Sequence, residues 1–180
     1  MGEWFYDMEA GKIHIYYGDG KGKSTAAFGL ALRAIGHNCS VVAVQFLKSG
    51  DSGEVQIYRQ LQKTTYFGGM PIKKFTFQMT EEELLDTRVW LNDMFKKGIA
   101  ASEKAGILIL DEIIDAYELN LLDHELLHQF LQQHPSRLEI IMTGHSLPRD
   151  VAPYADYITC MKKEKHPYDS GIPARMGIEF

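Results

Sequence analysis

The run Gly18, Asp19, Gly20, Lys21, Gly22, Lys23, Ser24, Thr25 combines residue types that together bind a chain of phosphates. Its glycines let successive backbone N–H groups turn toward one anion. Lys23 brings a positive charge to phosphate oxygens, and Ser24 offers a hydroxyl to Mg²⁺. An apolar strand pattern, Ile13 to Tyr17, comes before the run and a helical pattern from Lys23 follows it, which is the order a phosphate-binding P-loop requires. The helix that begins there adds the partial positive charge of its N-terminus. One position departs from the usual pattern: GxxxxGKS wants glycine at residue 17, which is tyrosine. The loop is therefore GxxxGKS, one residue short, and the register in which an ordinary ATPase exposes its γ-phosphate is not expected to hold.

A second chemical signal is Leu110, Asp111, Glu112, where an apolar strand delivers two carboxylates at its C-terminal end, as a Walker B strand does. A loop hydroxyl and a strand-end carboxylate together suit Mg²⁺, which prefers hard oxygen ligands. Ser24, Asp111 and Glu112 are the candidate metal ligands, and the sequence leaves open which carboxylate touches the ion. A competing motif is His124, Glu125, Leu126, Leu127, His128, a literal HExxH with His134 at a third-ligand spacing. Closing a zinc site there needs a glycine turn at residue 131, which is leucine. With Leu127 and Phe130 it makes an apolar stripe, so the helix continues. His134 then lies about 120° around the helix from His128. These histidines are expected on the surface of an amphipathic helix.

The elements that must position these groups follow from periodicity. Strand-length apolar runs occur at Ile13 to Tyr17, Val41 to Leu47, Phe75 to Phe77, Ile107 to Leu110, Leu138 to Met142 and Tyr157 to Met161. Helical patterns lie between them at Lys23 to Ile35, Glu54 to Leu61, Glu81 to about Ala105 and Glu125 to Gln133. Thr80 followed by Glu83 is a capping box for the third of these helices. Near-continuous apolar strands alternating with helices predict an α/β fold: a three-layer αβα sandwich on a mostly parallel sheet of about six strands. Lys48 to Gly53, Tyr66 to Lys74 and the end from Lys162 are the least regular parts and are expected to supply binding loops.

With 180 residues, 45% apolar and 24% charged, the chain is expected to form one ordinary domain over 1–180, residues 1–12 being a mobile N-terminal arm. Its 19 basic and 24 acidic residues give a net charge of −5, which provides no general attraction to nucleic acid or anionic membrane, so a polyanion site has to be local. No apolar run approaches the roughly 20 residues of a transmembrane helix, and the acidic start lacks a signal-peptide pattern, so a cytoplasmic location is expected. Cys39 and Cys160 form no CxxC pair and are read as two reduced core thiols. No Ser-His-Asp or Cys-His arrangement is legible.

GDGKGKSTAAFGLALRA, LDE on a later strand, TGH after the next, VVAVQFLKSG on the second strand and the ending KHPYDSGIPARMGIEF together resemble the ATP:cob(I)alamin adenosyltransferase family of the corrinoid-salvage type. The resemblance spans nearly the whole chain. It implies a RecA-like P-loop NTPase fold, a homodimer, and transfer of the 5′-deoxyadenosyl group of ATP to the Co(I) centre of a corrinoid with release of triphosphate. A flavodoxin-like reducing partner would go with that activity. The resemblance also implies that Gly18 to Thr25 hold the triphosphate, that Arg33 contacts phosphate, and that Ser24 and Glu112 organise Mg²⁺. Lys23, Glu112, Phe75 and Phe77 are the residues assigned to catalysis. Where the family reads GFTWxTQD beside the corrin, this chain reads KFTFQMTE from Lys74 to Glu81. Phe75 and Phe77 either line the corrin or, two apart on a strand, share a core face. Two other functions stay open: a kinase or ATPase acting at the γ-phosphate, and a binding protein for ATP and corrinoid that has lost catalysis.

Overall fold

The computed structural model describes residues 10–72 and 74–179. Most of the expected N-terminal arm, residues 1–9, therefore lies outside the described residues.

Six strands form one sheet in the order β3-β2-β4-β5-β1-β6, namely β1 (Ile13–Tyr17), β2 (Val41–Gln45), β3 (Thr64–Phe67), β4 (Ile107–Asp111), β5 (Glu139–Gly144) and β6 (Tyr157–Cys160). Every pairing is parallel. All loops that follow a strand therefore leave at the same edge of the sheet, where α/β folds build their sites. One strand, β5, separates the loop strand β1 from the carboxylate strand β4.

Alternate strand residues face opposite layers. Val41, Ala43, Ile107, Ile109 and Ile141 pack with Ala27, Phe28, Ala31 and Ala34 of α1 (Lys23–Gly36) and with Tyr58 of α2 (Gly53–Tyr58). Their neighbours Val42, Val44, Leu108, Leu110 and Met142 pack on the other face. There they meet Leu91 and Phe95 of α3 (Glu81–Ser102), Ile113 and Ile114 of α4 (Ile113–Glu118), and Leu127 and Phe130 of α5 (His124–Gln133). This is the three-layer α/β arrangement expected. The capping box forms too: Glu83 N–H donates to Thr80 Oγ1 at 3.2 Å, and Glu83 Oε2 accepts from Thr80 N–H at 2.9 Å. No helix among the described residues is long and apolar enough to cross a membrane.

The third strand is not where periodicity put it. Phe75 to Phe77 form no strand: Thr76–Gln78 is a single 3-10 turn closed by Gln78 N–H on Phe75 O at 2.8 Å. The edge of β2 is taken instead by Thr64–Phe67, paired with Val41 to Val44. Residues 75–77 are taken up by this turn, just ahead of the helix cap at Thr80, so they are not extended and cannot add to the sheet edge. The aromatics are accordingly exposed, Phe75 by 70% and Phe77 by 82%, which overturns the core alternative for them. Cys39 is buried as expected, whereas Cys160 is exposed, because β6 is an edge strand whose residues are all open to solvent.

Candidate functional site

The P-loop leaves β1 and enters α1 in a tightly packed turn. Gly18 and Gly22 hold left-handed angles, φ 116° and 115°. A Cβ on Gly18 or Gly20 would come within 2.4 or 2.6 Å of Met161 O, so only glycine admits the strand-end segment after β6 against the loop. Gly20 N–H donates to that carbonyl at 2.7 Å, and Asp19 Oδ1 accepts from Lys163 N–H at 2.9 Å, a bond that leads in lowering the Asp19 carboxyl. Lys23 Nζ lies over its own loop, donating to Gly18 O at 2.7 Å and Gly20 O at 2.9 Å.

A cavity of about 760 Å³ opens over this loop. Residues 20–25, Lys48 and Ser52 from the segment after β2, Glu112 after β4, His145 after β5 and Glu179 near the C-terminus all border it. Gly18 and Asp19 shape the loop from behind and do not border the cavity, nor does Asp111.

The two carboxylates differ sharply. Asp111 is fully buried, with Oδ1 accepting from Thr143 Oγ1 at 2.8 Å and Oδ2 from Gln45 Nε2 at 3.1 Å and Lys48 Nζ at 2.7 Å. Glu112 sits at a left-handed position, φ 62°, with its N–H on Thr143 Oγ1 at 2.8 Å, and this turn aims its side chain into the cavity. Burial, offset in part by Lys48 and reinforced by Asp111 and Asp115, pushes the Glu112 carboxyl up to about 7.

Lys48 is the residue that sequence reasoning missed. Its ammonium donates to Ser24 Oγ at 2.9 Å and Asp111 Oδ2 at 2.7 Å, and lies 3.5 Å from Glu112 Oε1. Burial alone would lower it, but the attraction of Asp111 and Glu112 outweighs that and holds it above the usual lysine value. The signal available in the sequence was its place three residues past a strand, at the edge where the loop also emerges. The oxygens proposed for Mg²⁺ thus already surround a positive charge, which is the electrostatic environment a divalent cation needs.

His145 was missed as well. Its Nδ1 stands 3.0 Å from Asp115 Oδ1, which also accepts from the His145 N–H at 2.9 Å, so a histidine that borders the cavity is paired with a carboxylate, although no such pair was legible in the sequence. Asp115 Oδ2 and Ser52 Oγ are buried without a hydrogen-bond partner among the described residues.

Two groups of expected residues are not brought to the loop. Arg33 lies in the last turn of α1, ten residues from Lys23 and hence about 15 Å along the helix. It does not border the cavity. Phe75 and Phe77 emerge at the same sheet edge, after β3, but also outside the cavity; their rings stack on one another with centroids 5.4 Å apart and planes 8° from parallel.

The HExxH histidines pack around one tyrosine. The His124 ring stacks on Tyr117 at 3.7 Å, and His128 Nε2 is 3.1 Å from the Tyr117 hydroxyl, which donates to Asp150 Oδ2. Both are half-buried, a correction to the expectation of surface histidines. His134 follows the last residue of α5, with Nδ1 on Leu131 O at 2.9 Å.

The family model for ATP:corrinoid adenosyltransferase BtuR/CobO/CobP matches residues 9–180. The corrinoid adenosyltransferase of Escherichia coli is 32% identical over 177 residues, covering 96% of this chain and 87% of its own. That of Pseudomonas aeruginosa is 29% identical over 173 residues, covering 96% and 85%. Among solved structures, the cytoplasmic domain of EssC superposes with a TM-score of 0.53 at 20% identity, over 98% of this chain and 38% of that one, a likeness of fold alone. With a family model matching from residue 9 to the C-terminus, the chain belongs to the ATP:corrinoid adenosyltransferase family.

Proposed function

We propose that this protein transfers the 5′-deoxyadenosyl group of ATP to the Co(I) centre of a corrinoid and releases inorganic triphosphate. The observation that carries the reading is the shortened loop, GxxxGKS, lying under a cavity that gathers Lys21, Lys23 and Lys48 in a chain of net charge −5. Those charges, the loop N–H groups and the N-terminus of α1 would hold the three phosphates as one anion. The charge that such an arrangement stabilises best is that of the departing triphosphate. The cobalt electron pair forms the Co–C bond at C5′ as the C5′–O bond breaks, and both electrons of that bond leave with the triphosphate. Co(I) is itself the nucleophile, so the protein has to position and neutralise.

Mg²⁺, when bound, would neutralise phosphate charge. Ser24 and Glu112 suit it as direct ligands because both border the cavity, while buried Asp111 would orient the cluster from behind. Phe75 and Phe77 offer an exposed apolar platform for the corrin. A flavodoxin-like reductant supplying the electron for Co(I), a homodimer and a cytoplasmic location complete the reading and rest on the resemblance.

One observation favours a second reading. His145, which borders the cavity, is paired with Asp115 behind it and has the geometry of a base that could activate water or a hydroxyl for attack on the γ-phosphate. Anaerobic turnover with MgATP and chemically reduced cobalamin decides between them. The expected result is loss of the Co(I) spectrum, a light-sensitive Co–C product and triphosphate by ³¹P NMR; ADP formed in step with turnover would replace this reading with γ-phosphoryl transfer.

A further inference from the structure

Ser24 Oγ, Asp111 Oδ2 and Glu112 Oε1 converge on one point, and that point is held by the chain's own cation, the Lys48 ammonium, at 2.9, 2.7 and 3.5 Å. A divalent ion drawing on Ser24 and Glu112 would have to stand in the same small volume, since Mg²⁺ binds oxygen at about 2.0–2.1 Å. A divalent ion and the ammonium repel each other strongly at such a separation, so the two cations cannot share it.

We propose that Lys48 is a resident counter-ion that trades places with the divalent cation: its ammonium neutralises the oxygen cluster until a triphosphate arrives, then turns onto the phosphate chain as the metal takes its place. The inference rests on the reading of the cavity as a MgATP site. Metal and triphosphate then load together, and Lys48 becomes a further positioning residue for the leaving group.

The parts around Lys48 show which group can move. Asp111 keeps Thr143 and Gln45 as partners whether or not the ammonium is present. Glu112 is fixed by its backbone, through its left-handed turn and its N–H on Thr143. The Lys48 backbone is tied as well, its carbonyl accepting from Met70 N–H at 2.9 Å, but its four-carbon stem is free to swing within the cavity that it borders with Lys23. The residue before it, Leu47, holds φ 48°, so non-glycine left-handed positions stand at both sides of the ammonium. Each is a strained backbone conformation that the surroundings must maintain for the side chains to be aimed as they are.

The test measures Mn²⁺ retained by the whole protein in equilibrium dialysis, with Mn²⁺ alone and with tripolyphosphate or ATP equal on both sides of the membrane, since both chelate Mn²⁺ themselves. Wild type is expected to bind Mn²⁺ weakly alone and at least tenfold more tightly with tripolyphosphate. Lys48→Met is expected to bind Mn²⁺ alone at least tenfold more tightly than wild type and to bind tripolyphosphate severalfold more weakly. Lys48→Gln, which keeps a hydrogen bond to Asp111, gives the same two shifts if the Met variant does not fold. Variants that bind Mn²⁺ alone no better than wild type overturn the exchange, as does a wild type whose Mn²⁺ affinity is unaltered by tripolyphosphate. Wild type that binds no Mn²⁺ even with ATP overturns the MgATP reading along with it; wild type that binds Mn²⁺ with ATP while the variants stay unshifted overturns the exchange alone.

Discussion

After β4, Asp111 is wholly buried and both of its carboxylate oxygens are engaged, by Thr143, Gln45 and Lys48. After β3, at the same edge of the same sheet, Phe75 and Phe77 stand 70% and 82% exposed and stack on each other. The contrast is the one expected of the two kinds of ligand proposed for these two ends. A charge cannot be left buried and unpaired, so a site for phosphate and metal must be held in place by hydrogen bonds before the ligand binds. An apolar platform needs no such network, because hydrophobic contact is non-directional and exposed rings gain by being covered. The phosphate end should therefore respond to substitution steeply, and the aromatic end gently.

The steepest response is expected at Lys23. Its ammonium reaches only its own loop carbonyls and belongs to no hydrophobic cluster, so Lys23→Ala should fold normally. Turnover should nevertheless fall by about 100-fold or more, the range for loss of one group that stabilises developing charge. Steady-state kinetics with MgATP and Co(I) cobalamin, next to a thermal melt, checks both halves. Near-normal turnover in folded Lys23→Ala would break the comparison at its stronger side.

How much of this was readable in the sequence depended on whether the chemistry is contiguous. The P-loop was legible because its geometry is made by neighbours in the chain, and the LDE carboxylates because a strand end announces itself. Lys48 was not, since a lone lysine in QFLKSG acquires its partners Ser24 and Asp111 only through parallel pairing across 24 and 63 residues. His145 and Asp115, 30 apart, meet for the same reason. The fold failed at one strand: FTF and TTYF both have strong β propensity, but the two polar threonines kept Thr64–Phe67 out of a search for apolar runs, while FTF is taken up by a 3-10 turn before α3. Arg33, expected at the phosphates by resemblance, stands in the last turn of α1 away from the cavity, because a resemblance carries a residue's position along the chain and not its distance from the loop.

A smaller effect, of opposite sign in stability and activity, is expected at Glu112. Its carboxyl is pushed from the usual 4.5 up to about 7, chiefly by burial, so between those values the folded chain binds a proton that the unfolded chain has released. Stability from this group is thus present below about 4.5 and is lost as pH rises through about 7, by on the order of 2–3 kcal/mol. Glu112→Gln removes that loss. Its melting temperature should exceed that of wild type at pH 8 and match it at pH 5, while turnover drops if Glu112 holds the metal together with Ser24. Parallel melts across that pH range check this, and a Gln variant whose advantage does not grow between about pH 5 and 7 would mean that the phosphate end is less desolvated than its geometry indicates.

The gentlest response is expected at Phe77, and it sharpens the contrast from the other side. A ring that is 82% exposed can be enlarged without displacing core atoms, so Phe77→Trp should alter stability by no more than about 0.5 kcal/mol. If the ring lies against a corrin, the indole covers on the order of 40 Å² more apolar surface in the complex, which at about 25 cal/mol per Å² is roughly 1 kcal/mol. That corresponds to a fall in the corrinoid KM of about fivefold, with the KM for ATP unchanged because the ring stands outside the phosphate cavity. Phe75→Ala should move the same constant the other way, since it removes both its own contact and the stacked partner that steadies Phe77. Kinetics with each substrate varied in turn separates the two constants. Equal changes in both KM values would mean that the aromatic end and the phosphate end act as one rigid unit, and unchanged corrinoid KM in both variants would remove Phe75 and Phe77 from the corrin surface.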